Sequence, residues 1–110
     1  MQDHAIVVAD ATGTIHVWSP GAEELFGWSA AEAVGRLLDL IVPEAQRERH
    51  WARFHEAMRA GESRLHGAAT ELPAQTRHGG VVTLPARSLF LKDGRDRAVG
   101  AMAIFSKPDA

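Results

Sequence analysis

The chain has 110 residues, a formal net charge of −2, and a composition that is 45% hydrophobic and 24% charged. That balance suits one soluble globular domain, taken as residues 1–110, and excludes disorder for most of the chain. A sequence pI near 6.3 argues against a nucleic-acid module, which would carry a basic face. No apolar run nears the ~20 residues of a membrane span, and Met1-Gln2-Asp3-His4 lacks the basic start of a signal peptide. With no cysteine, disulfides, thiolate metal sites, thiol catalysis and cysteine-linked chromophores are excluded together. The same absence fits a reducing compartment, so a cytoplasmic location is expected.

Residues 5–9, Ala-Ile-Val-Val-Ala, form a short apolar run rich in β-branched residues and predict a strand. Residues 10–13 predict a turn with Gly13 free to take positive φ, and residues 14–18 alternate as the second arm of a hairpin. Ser19-Pro20 suits a helix start, closed by Gly27. Ser29 and Glu32 match a capping box, and Gly35 ends that helix. Leu37, Leu38, Leu40 and Ile41 form a third short buried piece before Pro43. The longest helix is predicted over residues 44–60, with Gly61 as its stop. At helical spacing His50, Trp51, Phe54, Ala57 and Met58 fall within one sector about 120° wide. Residues 65–77, 81–91 and 98–105 predict three more strands, separated by turns at 78–80 and 92–95. Segregated strands and helices give an α+β domain, with helices on one face of an antiparallel sheet. A domain this short that closes on a strand reads as a module of something larger.

This order resembles a PAS domain. Residues 15–35 look like the family's second strand and first helices, and Glu32 to Gly35 matches its short E-x-x-G segment. His78-Gly79-Gly80 stands where the family usually has K/R-D-G, and Val99-Gly100 with the apolar run behind it looks like the last strand. The resemblance implies a five-stranded antiparallel sheet with short helices and one longer helix on one face.

Within the family, Pro43, Glu44, Arg47 and His50 fall at the spacing of the segment that carries the proximal histidine in heme PAS domains of bacterial oxygen-sensing kinases. That resemblance implies b-type heme with His50 as iron ligand, a diatomic gas (O2, CO or NO) or redox state as the signal, and a homodimer or attached output domain as partner. From the helix it implies a lining of His50, Trp51 and Phe54. From the strands it implies Leu65, Thr70, Ala86, Ser88, Phe90 and Met102. Independently of the likeness, a neutral imidazole is a good iron ligand, and one placed in an apolar stripe loses hydration and needs some partner. The alternative is a core histidine bonded to a backbone carbonyl.

The oxygen sensors commonly carry an arginine on the first strand after the long helix, and the matching position here is Thr70. Arg64, Arg77 and Arg87 are the other basic candidates. Met58, Met102 and His66 could be sixth ligands, although methionine on an apolar surface is more often packing. Small residues at 67–69, 86, 88, 98, 100, 101 and 103 leave room for a flat cofactor if they face the helices. Otherwise Trp18, Trp28, Trp51 and the phenylalanines fill that volume. His4, His16, His55 and His78 read as surface or turn residues without zinc spacing. Glu23 and Glu24 read as a solvated face. No motif supports an enzyme. A cofactor-free interaction module and a small-organic-ligand sensor are the alternatives to the heme reading.

Overall fold

A computed structural model of the chain describes residues 4–61 and 67–108. Strands β1 (His4–Asp10) and β2 (Ile15–Trp18) form the first hairpin. Helices α1 (Pro20–Phe26) and α2 (Ala30–Ala33) follow, then a 3-10 turn at Leu38–Leu40 and helix α3 (Glu44–Ala60). Strands β3 (Thr70–Gln75), β4 (Val81–Lys92) and β5 (Ala98–Ser106) complete one five-stranded sheet in the order β2-β1-β5-β4-β3. All its pairings are antiparallel.

The predicted helix starts are realised by hydrogen bonds of neighbouring residues. Ser19 Oγ accepts from Ala22 N at 3.2 Å, and Pro20 occupies the first turn, where its missing N–H costs nothing. The same Oγ accepts from Ile6 N at 2.8 Å, tying α1 to β1. Ser29 and Glu32 complete the capping box in both directions, at 3.2 and 3.0 Å. Helix α1 rides so close to β1 that a Cβ on Gly21 would overlap the His4 carbonyl.

The core lies between the sheet's inner face and the short helices. Trp18, Phe26, Leu84 and Phe105 are its large members. Phe26 is fully buried, 5.5 Å from the Trp18 ring and edge-on to Phe105 at 5.2 Å. Each such side chain removed from water contributes about 1.5–3 kcal/mol. Trp18 places its one polar atom on the Trp28 carbonyl at 2.9 Å. Phe54 and Ala57 of α3 are buried outside this cluster, and α3 packs against β5.

The third strand is shorter than the expected span of 65–77, of which residues 65 and 66 lie outside the described residues. Gly67 sits in a turn, bonded through its N–H to the Ser88 carbonyl at 2.7 Å, and the ladder begins only at Thr70. Its far end stops at Gln75 because the next residues turn. Thr76 N donates to Gly80 O, and Arg77 N donates to Phe26 O. In the last turn the left-handed position is taken by Asp96 rather than by a glycine.

The register sorts the strand residues by face. Thr70 pairs with Ala86, and Ala86 pairs in turn with Phe105; Ser88 opposes Ala103, and Phe90 opposes Ala101. Leu84, Ala86 and Phe105 belong to the core. Alternation therefore places Ser88, Phe90, Ala101 and Ala103 on the same inner face. Met102 does not join them. It stands in register with Val8 and Leu89, one residue out of phase with Ala101 and Ala103, so it points to the outer face. Its expected place in the cofactor lining is corrected accordingly.

Candidate functional site

Helix α3 brings His50, Trp51 and Phe54 into one aromatic group. The His50 ring lies over Phe54 at 5.9 Å with 25° between planes, and meets the Trp51 edge at 4.9 Å. Trp51 is edge-on to Phe54 at 5.5 Å, and its other side stacks on His55 at 5.7 Å. Phe54 is buried, while His50 and Trp51 are half-buried.

Two contacts from outside the helix hold Trp51. Its Nε1 donates to Asp39 Oδ1 at 2.6 Å. Its six-membered ring lies against Gly13 in the β1–β2 turn, where an added Cβ would overlap Cη2 and Cζ3. Gly13 also has φ +84°, so two independent constraints select glycine there. Arg47 fixes the 3-10 turn that carries Asp39, donating to the Val42 carbonyl at 3.0 Å and the Asp39 carbonyl at 3.2 Å.

His50 Nδ1 is buried and has no hydrogen-bond partner among the described residues. Burial pushes the His50 pKa down from its ordinary 6.5; the Asp39 carboxylate opposes this and His55 adds to it. The ring is therefore neutral at pH 7, which is the form that ligates a metal. On the inner sheet face Thr70, Ala86 and Ser88 are neither bulky nor charged, and Ala86 belongs to the main core.

Residues 2–107 match the family profile of the PAS fold. The chain belongs to the PAS family. Over 46 residues, 42% of its length, it is 46% identical to the sensor protein FixL of Bradyrhizobium diazoefficiens. That stretch is 9% of the relative's length. Among solved structures it is similar to a PAS domain from Colwellia psychrerythraea, with a TM-score of 0.79 and 23% identity, covering 96% of this chain and 86% of that one. It is also similar to the PAS domain of the Cronobacter turicensis quorum-sensing receptor RpfR in complex with BDSF. There the TM-score is 0.76 at 19% identity, covering 99% and 97%. These two likenesses bear on the fold. The family makes this chain a sensory module, with the five-stranded α+β architecture expected of it.

In this PAS domain two of the other basic candidates, Arg77 and Arg87, are engaged elsewhere. Arg77 pairs with Glu32 through both carboxylate oxygens, at 2.8 and 3.0 Å, in an exposed position. Arg87 points to the outer face and donates to the Gly67 carbonyl. Arg64, Leu65 and His66 lie outside the described residues. Of the small residues expected beneath the helices, Ala86, Ser88, Ala101 and Ala103 reach the inner face, whereas 67–69 precede β3. Trp18 and Phe26 fill the main core rather than the space under α3. Among the described residues, a surface groove opens beside Arg36, Asp39 and Arg47, and another beside Thr70, Pro85 and Arg87. His50 lines neither. Among the described residues no three His, Cys, Asp or Glu side chains converge on a metal site, and no helix is long and apolar enough to cross a membrane.

Sequence reasoning missed three residues. Asp39 is the acceptor for Trp51, and its signal was a lone carboxylate inside an apolar run, Leu-Leu-Asp-Leu-Ile. Glu23 is not merely solvated: its carboxylate accepts from Ala30 N at 2.6 Å and caps α2. His16 is exposed, as expected, but sits 2.7 Å from the Asp10 carboxylate across the hairpin. Nothing local in the sequence marks that pair.

Proposed function

We propose that this PAS domain is a cytoplasmic, non-catalytic sensor that holds b-type heme with His50 as its protein ligand. The signal is a diatomic gas or the redox state of the site. The observation that carries the reading is the buried Nδ1 of His50, a polar atom without a hydrogen-bond partner among the described residues. Left so, it costs the fold about 1–3 kcal/mol, a deficit that a bound group can remove. Bound heme supplies an iron with an exchangeable position for a gas ligand or an electron. The residues present fit it. His50 offers a neutral imidazole, Trp51 and Phe54 exclude water around the ring, and Ala86, Ser88 and Thr70 keep the inner sheet face free of bulk. Thr70 brings only a hydroxyl where the oxygen sensors bring a guanidinium. That favours CO and NO over O2, which depends most on a strong donor. The local identity to a sensor protein supports the sensory role. The change passes to a second copy or an attached output domain.

The test is hemin added to the purified domain and to His50→Ala, with visible spectra recorded oxidised, reduced, and reduced with carbon monoxide. Saturation at about one heme per chain, with a Soret band lost or strongly altered in His50→Ala, is the expected result. A spectrum of free hemin, or one indifferent to His50, refutes the heme reading and leaves a cofactor-free interaction module.

A further inference from the structure

We propose that Asp39 and Trp51 act together as a strut that positions the His50 ring. The proposal rests on the heme reading for its purpose, but its geometry stands in the chain itself. Trp51 follows His50 directly on α3, so its indole flanks the imidazole and meets it edge-on at 4.9 Å. Phe54 supports the imidazole from one helical turn away. His50 cannot swing toward Trp51 unless the indole moves, and the indole is held at both ends. Its Nε1–H is bonded to Asp39 at 2.6 Å, and its far edge is seated on Gly13.

The acceptor is equally fixed. Arg47 donates to the Asp39 carbonyl, and Leu38 N donates to the Gly13 carbonyl at 3.0 Å. The 3-10 turn, the hairpin turn and α3 thus meet at Trp51. A residue next to a ligand that locks the ligand's orientation changes affinity without touching the bound group. Asp39 and Trp51 are therefore positioning residues. Their role depends on an acceptor at position 39 and an indole N–H at position 51, rather than on charge.

The experiment compares Asp39→Ala, Asp39→Asn and Trp51→Phe with wild type. In hemin-free protein, the Trp51 indole N–H signal is assigned by its loss in Trp51→Phe, and the His50 ring signals by their loss in His50→Ala. The expected result has two parts. Asp39→Ala shifts the indole and His50 signals and weakens hemin binding by about tenfold or more, the usual effect of losing a supporting partner. Asp39→Asn, whose amide oxygen still accepts, restores the signals and brings affinity back to within about twofold of wild type. If Asp39→Ala fails to fold, Trp51→Phe removes the same bond while keeping an aromatic ring, and is expected to shift the His50 signals and weaken hemin binding likewise. Unmoved His50 signals in a folded variant overturn the strut. So does full hemin affinity in a folded Asp39→Ala, or in Trp51→Phe if Asp39→Ala does not fold. If wild type itself binds no hemin, the heme reading fails, and the His50 signals in hemin-free protein still decide for or against the strut.

Discussion

Replacing His50 with phenylalanine should stabilise the hemin-free domain while abolishing hemin binding. The imidazole Nδ1 is buried with no hydrogen-bond partner among the described residues. An unsatisfied buried polar atom costs about 1–3 kcal/mol, and an apolar ring in its place removes that cost. Phenyl is larger than imidazole, and its extra bulk against Trp51 and Phe54 takes back about 1 kcal/mol. The net expectation is a gain of about 1 kcal/mol, or about 5 °C in Tm for a domain of this size. The difference should depend on pH in a set direction. Burial keeps the folded-state pKa of His50 below its ordinary 6.5. As pH falls, the unfolded chain takes up the proton first. The stability held by neutral His50 is complete above 6.5 and declines below it. Phenylalanine does not titrate, so the variant's advantage widens below that pH. Thermal unfolding followed by circular dichroism, at neutral and mildly acidic pH, measures both effects. A variant less stable than wild type at neutral pH, with a gap that ignores pH, would mean that the imidazole is already satisfied. The argument for His50 as a ligand-binding residue would then collapse.

Gly13→Ala should lower Tm by about 10 °C, because φ +84° and the overlap with Trp51 together cost about 2–3 kcal/mol. Calorimetry measures the loss, and a Tm unchanged within error would show that Trp51 is not seated on the turn. Met102→Leu should leave the spectra of hemin-loaded protein unchanged in every state, since Met102 faces away from α3. A changed Soret maximum in the reduced protein would put the sheet register in error.

What was legible in the sequence is what neighbouring residues decide. Ser19-Pro20 and the Ser29/Glu32 box start helices because their hydrogen bonds close within a few residues, so composition at fixed offsets is enough. The inner face of β4 was readable for a similar reason: Leu84, Ala86, Ser88 and Phe90 alternate with Pro85, Arg87 and Leu89, and the arginine marks the outward parity. Strand β5 carries no such mark. Ala101, Met102, Ala103 and Ile104 are apolar on both parities, and a single residue of register decides which ones meet the helices. Met102 was misplaced because that choice is made by pairing with β1 and β4.

The site divides along the same line. His50, Trp51 and Phe54 could be grouped from helical spacing alone, since one helix carries all three. The partners that give them chemistry come from elsewhere in the chain. Asp39 reaches Trp51 from the 3-10 turn, and Gly13 reaches it from the hairpin. Asp39 could have been suspected, because a carboxylate set among leucines must meet a donor or solvent. Which donor it meets is fixed by how the turn packs on α3. The unpaired state of Nδ1 among the described residues is less legible still, because it is a property of everything around the ring rather than of any residue in it. A histidine in an apolar stripe announces that it needs a partner. Only the packed structure shows that no group of the described chain supplies one at Nδ1, and that difference turns a spacing pattern into a chemical argument for a bound ligand.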